Sequence, residues 1–145
     1  GERKSENMNK EIEEMAKVNW DKTCHIVNGK EFKDGMVDMH SHGLKEFIGT
    51  EFQYVLDVGE NSYFVERQTL FSQVANMVAN KQLKLEDGLT FLVPKWKGCK
   101  FRFFKTKDSD GEDIFRIIEC DMKGKFPNDV GCSDFFKTQY DNPLK

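Results

Sequence analysis

The sequence lacks the features that assign many proteins to a class at first sight. No stretch approaches the roughly 18 consecutive apolar residues that a membrane-spanning helix requires, and residues 1–20 contain no apolar segment typical of a signal peptide. There is no glycine-rich phosphate loop, no Ser–His–Asp order and no paired-cysteine zinc motif. We therefore predict a cytoplasmic protein without membrane contact, and motifs alone identify no catalytic residue.

The sequence also has few cysteines and a small net charge. The four cysteines (Cys24, Cys99, Cys120 and Cys132) include no Cys-x-x-Cys pair, which predicts reduced thiols rather than a disulfide framework in a 145-residue chain. The formal net charge of −3 gives no general attraction to nucleic acid or to anionic lipid. Phenylalanine, in contrast, is abundant, and its 13 copies are expected to fill much of the core.

The pattern of apolar residues predicts a single α+β domain over residues 1–145. Residues 1–20 are expected to contain a charged N-terminal helix, residues 21–122 a sheet-plus-helix core, and residues 123–145 an irregular, loop-rich tail. The core is predicted to be an antiparallel sheet of about five strands packed against one main amphipathic helix. That helix is predicted over residues 64–80, with Phe71, Val74 and Val78 as its main core contacts.

Two turn signals are expected to join neighbouring strands as hairpins. Asn28-Gly29 follows the strand-like stretch "TCHIV", and Asp110-Gly111 separates "FRFF" from "IFRII". If the second turn contains two residues, apolar side chains pair on one face of the hairpin and opposite charges pair on the other. The predicted cross-strand pairs are Phe101 with Cys120, Phe103 with Ile118, Lys100 with Asp121, and Arg102 with Glu119.

Two of the three histidines, His40 and His42, lie close together in "MVDMHSHGL", with Asp38 just upstream. Side chains two residues apart on a strand point to the same face, so these three could meet one ligand, and Gly43 is expected to make the turn that follows. Some metal hydrolases carry Asp-x-His-x-His at a strand end, which raises the hypothesis of a small metal-dependent hydrolase using His40 and His42. A catalytic zinc usually has three protein ligands, however, and the remaining histidine, His25, lies on another predicted strand. We therefore predict no metal and no other cofactor, and treat Asp38, His40 and His42 as candidate contacts for a polar ligand.

A second candidate surface is the segment from Lys95 to Lys107. It contains six basic residues, four aromatic residues and no acidic residue, a pattern typical of single-stranded nucleic-acid binding. The predicted cross-strand acids would neutralise part of this charge. Nucleic acid therefore stays an alternative partner, behind a small polar ligand or a partner protein.

Residues of the last third match a pattern that has been seen elsewhere. An Asp-x-x-Gly-x-Phe-Pro block is followed by a Gln before a Pro, and an earlier Gly-Leu strand end precedes a Glu and an amphipathic helix. The residues concerned are Asp121, Gly124, Phe126 and Pro127, then Gln139 and Pro143, and earlier Ser41-His42-Gly43-Leu44 and Glu51. In these features the chain, from Met39 to Pro143, resembles a family of small bacterial domains of unknown function, the one numbered 4262. The resemblance implies a compact bacterial cytosolic domain without an established activity, and His40 and His42 lie outside the family's general pattern.

The physical roles expected in this block are structural. Phe126 is expected to anchor the tail on the sheet, and Gln139 to satisfy backbone groups at a strand edge. A cleft between the tail and the turn at residues 41–44 is where we expect a ligand. With no catalytic constellation in the sequence, a non-enzymatic binding or protein-interaction module is the leading hypothesis, while the sequence leaves the ligand and the oligomeric state open.

Overall fold

A computed structural model describes residues 24–27, 33, 36–57 and 64–144 of the chain. The predicted N-terminal helix and the Asn28-Gly29 turn lie outside these residues. The elements in chain order are β1 (Cys24–Val27), β2 (Met36–Ser41), a short helix α1 (Lys45–Ile48), β3 (Phe52–Asp57), α2 (Phe64–Ala79), β4 (Thr90–Leu92), β5 (Lys100–Lys107), β6 (Asp113–Glu119) and a 3₁₀ helix (Asp134–Tyr140). The α+β class is as predicted, and α2 occupies the predicted place of the main helix.

The sheet is mixed, so the prediction of a purely antiparallel sheet of about five strands is wrong. Its six described strands follow the order β1-β2-β3-β6-β5-β4. All neighbouring pairs are antiparallel except β3 and β6, which run parallel with Phe52 opposite Phe115 and Gln53 opposite Arg116. Parallel neighbours need a long crossover connection, and here α2, β4 and β5 form it. Local sequence patterns predict strands but do not reveal which distant strands become neighbours.

The β5–β6 hairpin has a different register from the predicted one. Lys107 pairs with Asp113, so the connection has five residues instead of two, and Phe101 lies opposite Glu119. The longer loop is stabilised by the Asp108 carboxylate, which accepts hydrogen bonds from two backbone N–H groups within it. The predicted pairs of Phe101 with Cys120, Phe103 with Ile118, Lys100 with Asp121 and Arg102 with Glu119 are therefore wrong.

The prediction of which β5 side chains point into the core is nevertheless confirmed. Phe101 and Phe103 are buried, while Lys100 is exposed. Arg102 is half-buried instead of fully exposed, because its guanidinium carbon lies 4.0 Å from the ring centre of Phe126 in the tail. A one-residue shift on β6 leaves the faces of β5 unchanged, since alternation depends on each strand separately.

The main core lies between one face of the sheet and α2. The Phe71 ring centre is 5.8 Å from that of Phe52 and 5.6 Å from that of Tyr54, and none of the three rings is exposed. Val74 is also buried, as predicted, whereas Val78 is only partly buried against the cluster. The other fully or nearly buried members are Met39, Leu44, Leu70, Ala75, Phe91, Val93, Phe101, Phe103 and Ile117.

The C-terminal tail covers part of the opposite face of the sheet. Phe126 is buried with Ile118 and Cys120, which confirms its predicted anchoring role. The side chain of Gln139 accepts a hydrogen bond from Glu119 N–H and donates one to Glu119 C=O, as predicted for a strand edge. The Asp121 carboxylate is buried and accepts backbone N–H bonds from Lys123, Lys125 and Ser133. These contacts, together, position residues 134–144 beside the sheet.

Cys99, Cys120 and Cys132 are free thiols, as predicted for them. None of the helices in the described part of the chain is long and apolar enough to cross a membrane.

Candidate functional site

One row of side chains crosses four strands on the sheet face opposite α2. His40 on β2 lies opposite Gln53 on β3, Gln53 lies opposite Arg116 on β6, and Arg116 lies opposite Phe104 on β5. Cross-strand neighbours point to the same face of a sheet, so these four side chains form a continuous line. At the β1 side the backbone of His25 pairs with that of His40. Residues that are up to 76 positions apart in sequence, 40 and 116, are thereby brought to one surface.

This row forms the floor of a cleft of about 690 Å³. The end of β2 forms one wall, the loop after β5 forms another, and the chain after the 3₁₀ helix closes a third side. The lining residues are Asp38, His40, Ser41, His42, Glu51, Phe52, Gln53, Phe104, Thr106, Lys107, Asp108, Ser109, Asp110, Ile114, Arg116, Tyr140, Asn142, Pro143 and Leu144. The cleft therefore lies between the tail and the turn at residues 41–44, where the sequence predicted it, and its size suits a small organic ligand.

The two predicted histidines lie side by side at one end of the cleft. Their Nε2 atoms are 2.9 Å apart, and their rings meet edge to face with centres 4.7 Å apart. His40 Nδ1 is 3.6 Å from Asp38 Oδ1, and this carboxylate raises the pKa of His40 against the lowering effect of burial. Gly43 makes the following turn with a φ of 92°, as predicted. The 2.9 Å separation fits a hydrogen bond between the two Nε2 atoms, in which one imidazole donates and the other accepts according to their tautomers.

Arg116 is one of the site residues that sequence reasoning missed. Its side chain lines the cleft although the residue is only 5% exposed. Nε donates to Gln53 Oε1, and Nη1 donates to the backbone oxygens of Gln139 and Asp141, each at 2.8 Å. It forms no salt bridge with any carboxylate of the described residues. Burial lowers the pKa of Arg116, while the more distant Asp38 and Asp141 oppose that effect.

An aromatic wall stands next to this guanidinium. The rings of Phe104 and Tyr140 meet edge to face with centres 5.0 Å apart, and the Arg116 guanidinium carbon lies 5.6 Å from the Phe104 ring centre. Tyr140 ends the 3₁₀ helix, so the tail carries the ring to the sheet. The cleft thus combines a buried cation with apolar surface within one small volume.

Ser41 and Glu51 line the cleft, but their polar atoms are committed to the turn that follows β2. Glu51 Oε1 accepts hydrogen bonds from Ser41 Oγ and Leu44 N–H, and Glu51 Oε2 accepts one from Lys45 N–H. Ser41 Oγ in turn accepts a bond from Phe52 N–H. Among the described side chains no imidazole is hydrogen-bonded to Ser41, so this part of the site does not present the arrangement of an activated serine nucleophile.

The metal-hydrolase hypothesis needs a third ligand beside His40 and His42. Among the side chains that the structure describes, which do not include that of His25, no group of three from His, Cys, Asp or Glu is arranged to hold a metal ion. Asp38 approaches His40 at Nδ1, while Nε2 of the same ring faces His42. In this arrangement Asp38 lies beside one nitrogen of His40 and does not converge with both histidines on one point.

Three of the four aromatic rings in the basic segment from Lys95 to Lys107 pack into the core, and the fourth, that of Phe104, lines the cleft. Phe101 and Phe103 are buried, and Trp96 packs partly buried against the core. Lys107 contacts Asp113 at 2.8 Å, so part of the charge is paired on the same hairpin. The support that the sequence pattern lent to nucleic-acid binding is weakened, because base stacking needs exposed rings.

The sequence therefore located one half of the site. Asp38, His40 and His42 do come together at the cleft, whereas Gln53, Arg116 and Tyr140 were not singled out. One local signal was present, an arginine within the otherwise apolar run "IFRII". A charged residue is rarely buried unless it is paired. A partner for this arginine could therefore be expected, but the sequence alone does not reveal which residue it is.

Comparison of the chain with known protein families, with curated proteins and with solved structures finds no match in any of the three.

Proposed function

We propose that this chain is a non-enzymatic binding module of the bacterial cytosol and that its cleft binds a small polar ligand. The observation that carries the proposal is the cleft itself, whose floor brings together the imidazole pair, Gln53 and the buried Arg116. Apolar pockets with a few convergent polar groups are typical of ligand sites. The resemblance to the bacterial family numbered 4262 is part of the same proposal.

Binding is favoured over catalysis because several polar groups at the cleft are engaged in holding its shape. Glu51 and Ser41 stabilise a turn, and Asp108 stabilises the β5–β6 loop. Arg116 bonds the tail to the sheet through two backbone oxygens. Such a rigid set of donors and acceptors suits recognition, since little ordering remains to be done when a ligand binds.

A fragment screen read by protein NMR tests this function. Small polar fragments are added to the ¹⁵N-labelled chain, and we expect the largest shifts at residues that line the cleft. Replacing Thr106, a partly buried lining residue, by Trp should fill the cleft and abolish these shifts. Thr90→Trp is the matched control, because Thr90 is exposed on β4 and does not line the cleft.

Two results would count against the function. One is a screen in which no fragment shift maps to the cleft. The other is equal binding by the folded T106W variant and by T90W, which would place the bound fragments elsewhere on the protein.

A further inference from the structure

We propose that the ligand of the cleft is a carboxylic acid with an apolar or aromatic body, whose carboxylate binds Arg116. This inference rests on the proposed binding function and specifies the chemistry of the ligand. The carboxylate is expected at Nη2 of Arg116, and the body of the ligand against Phe104 and Tyr140.

One side of the Arg116 guanidinium makes no hydrogen bond with the described part of the chain. An arginine side chain has five N–H groups, and three of those of Arg116 point to Gln53 Oε1 and to two backbone oxygens. The two N–H groups of Nη2 make no hydrogen bond with the described part of the chain. The residue is 5% exposed and lines the cleft, so these donors are positioned for a ligand that enters it.

The buried positive charge of Arg116 also favours an anionic ligand. A buried cation costs free energy unless an opposite charge or hydrogen bonds compensate it. Arg116 lacks a salt bridge to any described carboxylate, although Asp38 and Asp141 are close enough to affect its pKa. An anion at Nη2 would supply the missing charge at short range, and guanidinium–carboxylate contacts are among the strongest hydrogen bonds in proteins.

The charges around Arg116 favour a ligand with a single negative charge. Asp38 from β2 and Asp141 from the tail, both acidic, lie within electrostatic range of Arg116. Asp108 and Asp110 line the same cleft, with Lys107 as the other lysine or arginine side chain among its lining residues. These carboxylates repel a phosphate group, which carries nearly two charges at neutral pH, more strongly than they repel a carboxylate.

The apolar wall beside Arg116 favours a ligand with an apolar or aromatic body. Next to Arg116 stand the edge-to-face rings of Phe104 and Tyr140, and Ile114 and Pro143 also line the cleft. Burying apolar ligand surface against them contributes roughly 25 cal/mol per Å². A carboxylate that carries a ring would therefore use both the cation and the adjacent wall.

The test compares four probes by NMR titration of the unmodified chain: benzoate, benzamide, acetate and inorganic phosphate. Benzoate is expected to bind about tenfold or more tightly than benzamide, because a hydrogen bond to a charged group is stronger than one to a neutral group. Acetate tests the contribution of the ring, and phosphate tests the preference for a monoanion. Contacts between benzoate protons and the rings of Phe104 and Tyr140 should appear as intermolecular nuclear Overhauser effects.

A pair of arginine variants completes the test. Arg116→Lys keeps the charge but removes the guanidinium, and we expect it to weaken benzoate binding about tenfold. Arg102→Lys is the matched control on the neighbouring strand, where Arg102 lies over Phe126 outside the cleft lining. The nuclear Overhauser effects on the unmodified chain decide the question if Arg116→Lys fails to fold.

The outcomes separate this inference from the binding function. Equal binding of benzamide and benzoate in the cleft, or tighter binding of phosphate, overturns the carboxylate inference and leaves the binding module intact. The same holds if other fragments bind the cleft and none of the four probes does. If nothing binds the cleft, both the inference and the binding function fail.

Discussion

Replacing Arg67 by Met should be among the most destabilising single changes in this protein. Arg67 on α2 forms an ion pair with Glu119 at the end of β6, and only 8% and 14% of these two side chains are exposed. The Tyr54 ring centre lies 5.7 Å from the Arg67 guanidinium carbon. Arg67→Met leaves the Glu119 carboxylate nearly buried without its opposite charge, so we expect a loss of about 3–5 kcal/mol in the free energy of unfolding.

The loss should depend on pH in a defined direction. Burial raises the pKa of Glu119 even though Arg67 lowers it, and without Arg67 that pKa should rise further. A carboxyl group with a raised folded-state pKa binds its proton more tightly in the folded chain than in the unfolded chain. Its penalty is therefore absent below the ordinary carboxyl pKa and grows as the pH rises through that value. Arg67→Met should cost most at neutral pH and less in mildly acidic solution.

Urea denaturation followed by circular dichroism measures this loss at the two pH values. Lys45→Met is the matched control, because Lys45 pairs with Glu112 across 3.2 Å while both side chains are more than half exposed. Breaking such a surface pair should cost less than about 1 kcal/mol. If Arg67→Met costs no more than Lys45→Met, or if its cost is the same at both pH values, the buried-pair argument is wrong.

Three further predictions concern the core, the tail and the imidazole pair. Phe71→Ala should lower the free energy of unfolding by about 3–5 kcal/mol in urea melts, since its ring is fully buried; a loss under about 1 kcal/mol would contradict the packing of α2. Backbone N–H donors, Lys125 first among them, lower the pKa of Asp121 to about 2. The stability that these bonds contribute is present above the ordinary carboxyl pKa and should be lost as the pH falls from that value through the lowered pKa of about 2. Asp121→Asn should flatten this acid dependence in thermal melts. Zinc should not raise the melting temperature of the protein, and a rise that is lost in a His40→Ala, His42→Ala double variant would restore the metal-hydrolase hypothesis.

Several features of the fold could be predicted because their causes are local. Apolar residues at spacings of three and four predicted α2, and it ends at Ala79, one residue from the expected end. The alternation in β5 predicted which side chains are buried, because alternate residues of a strand point to opposite faces. Gly43 was expected to make a turn, and it adopts a positive φ that other residues rarely accept.

In the C-terminal tail, a short motif predicted some side-chain contacts correctly and others wrongly. Phe126 and Gln139 were assigned structural roles that the contacts confirm. The partner of Glu119 was predicted wrongly, since the hairpin was given a two-residue turn. The Asp108 carboxylate stabilises a five-residue loop. The resulting shift moves Glu119 to the sheet face that α2 covers, where it pairs with Arg67. A shift of one residue reverses the face of a strand side chain, so a small error in the loop changes the partner completely.

For the site, the sequence by itself indicated that Asp38 and His40 share one face of a strand, because alternate residues of a strand point to the same side, and that His42 follows at the end of that strand. Only the tertiary structure decided that Arg116 lies in the same row. That placement requires β6 to enter the sheet beside β3 in parallel, and the pairing joins residues that are far apart in the chain. The hydrogen bonds that select a neighbouring strand are made by the backbone, which is alike at every position. The choice among strands therefore depends on the burial of the whole sheet and not on any local pattern of side chains.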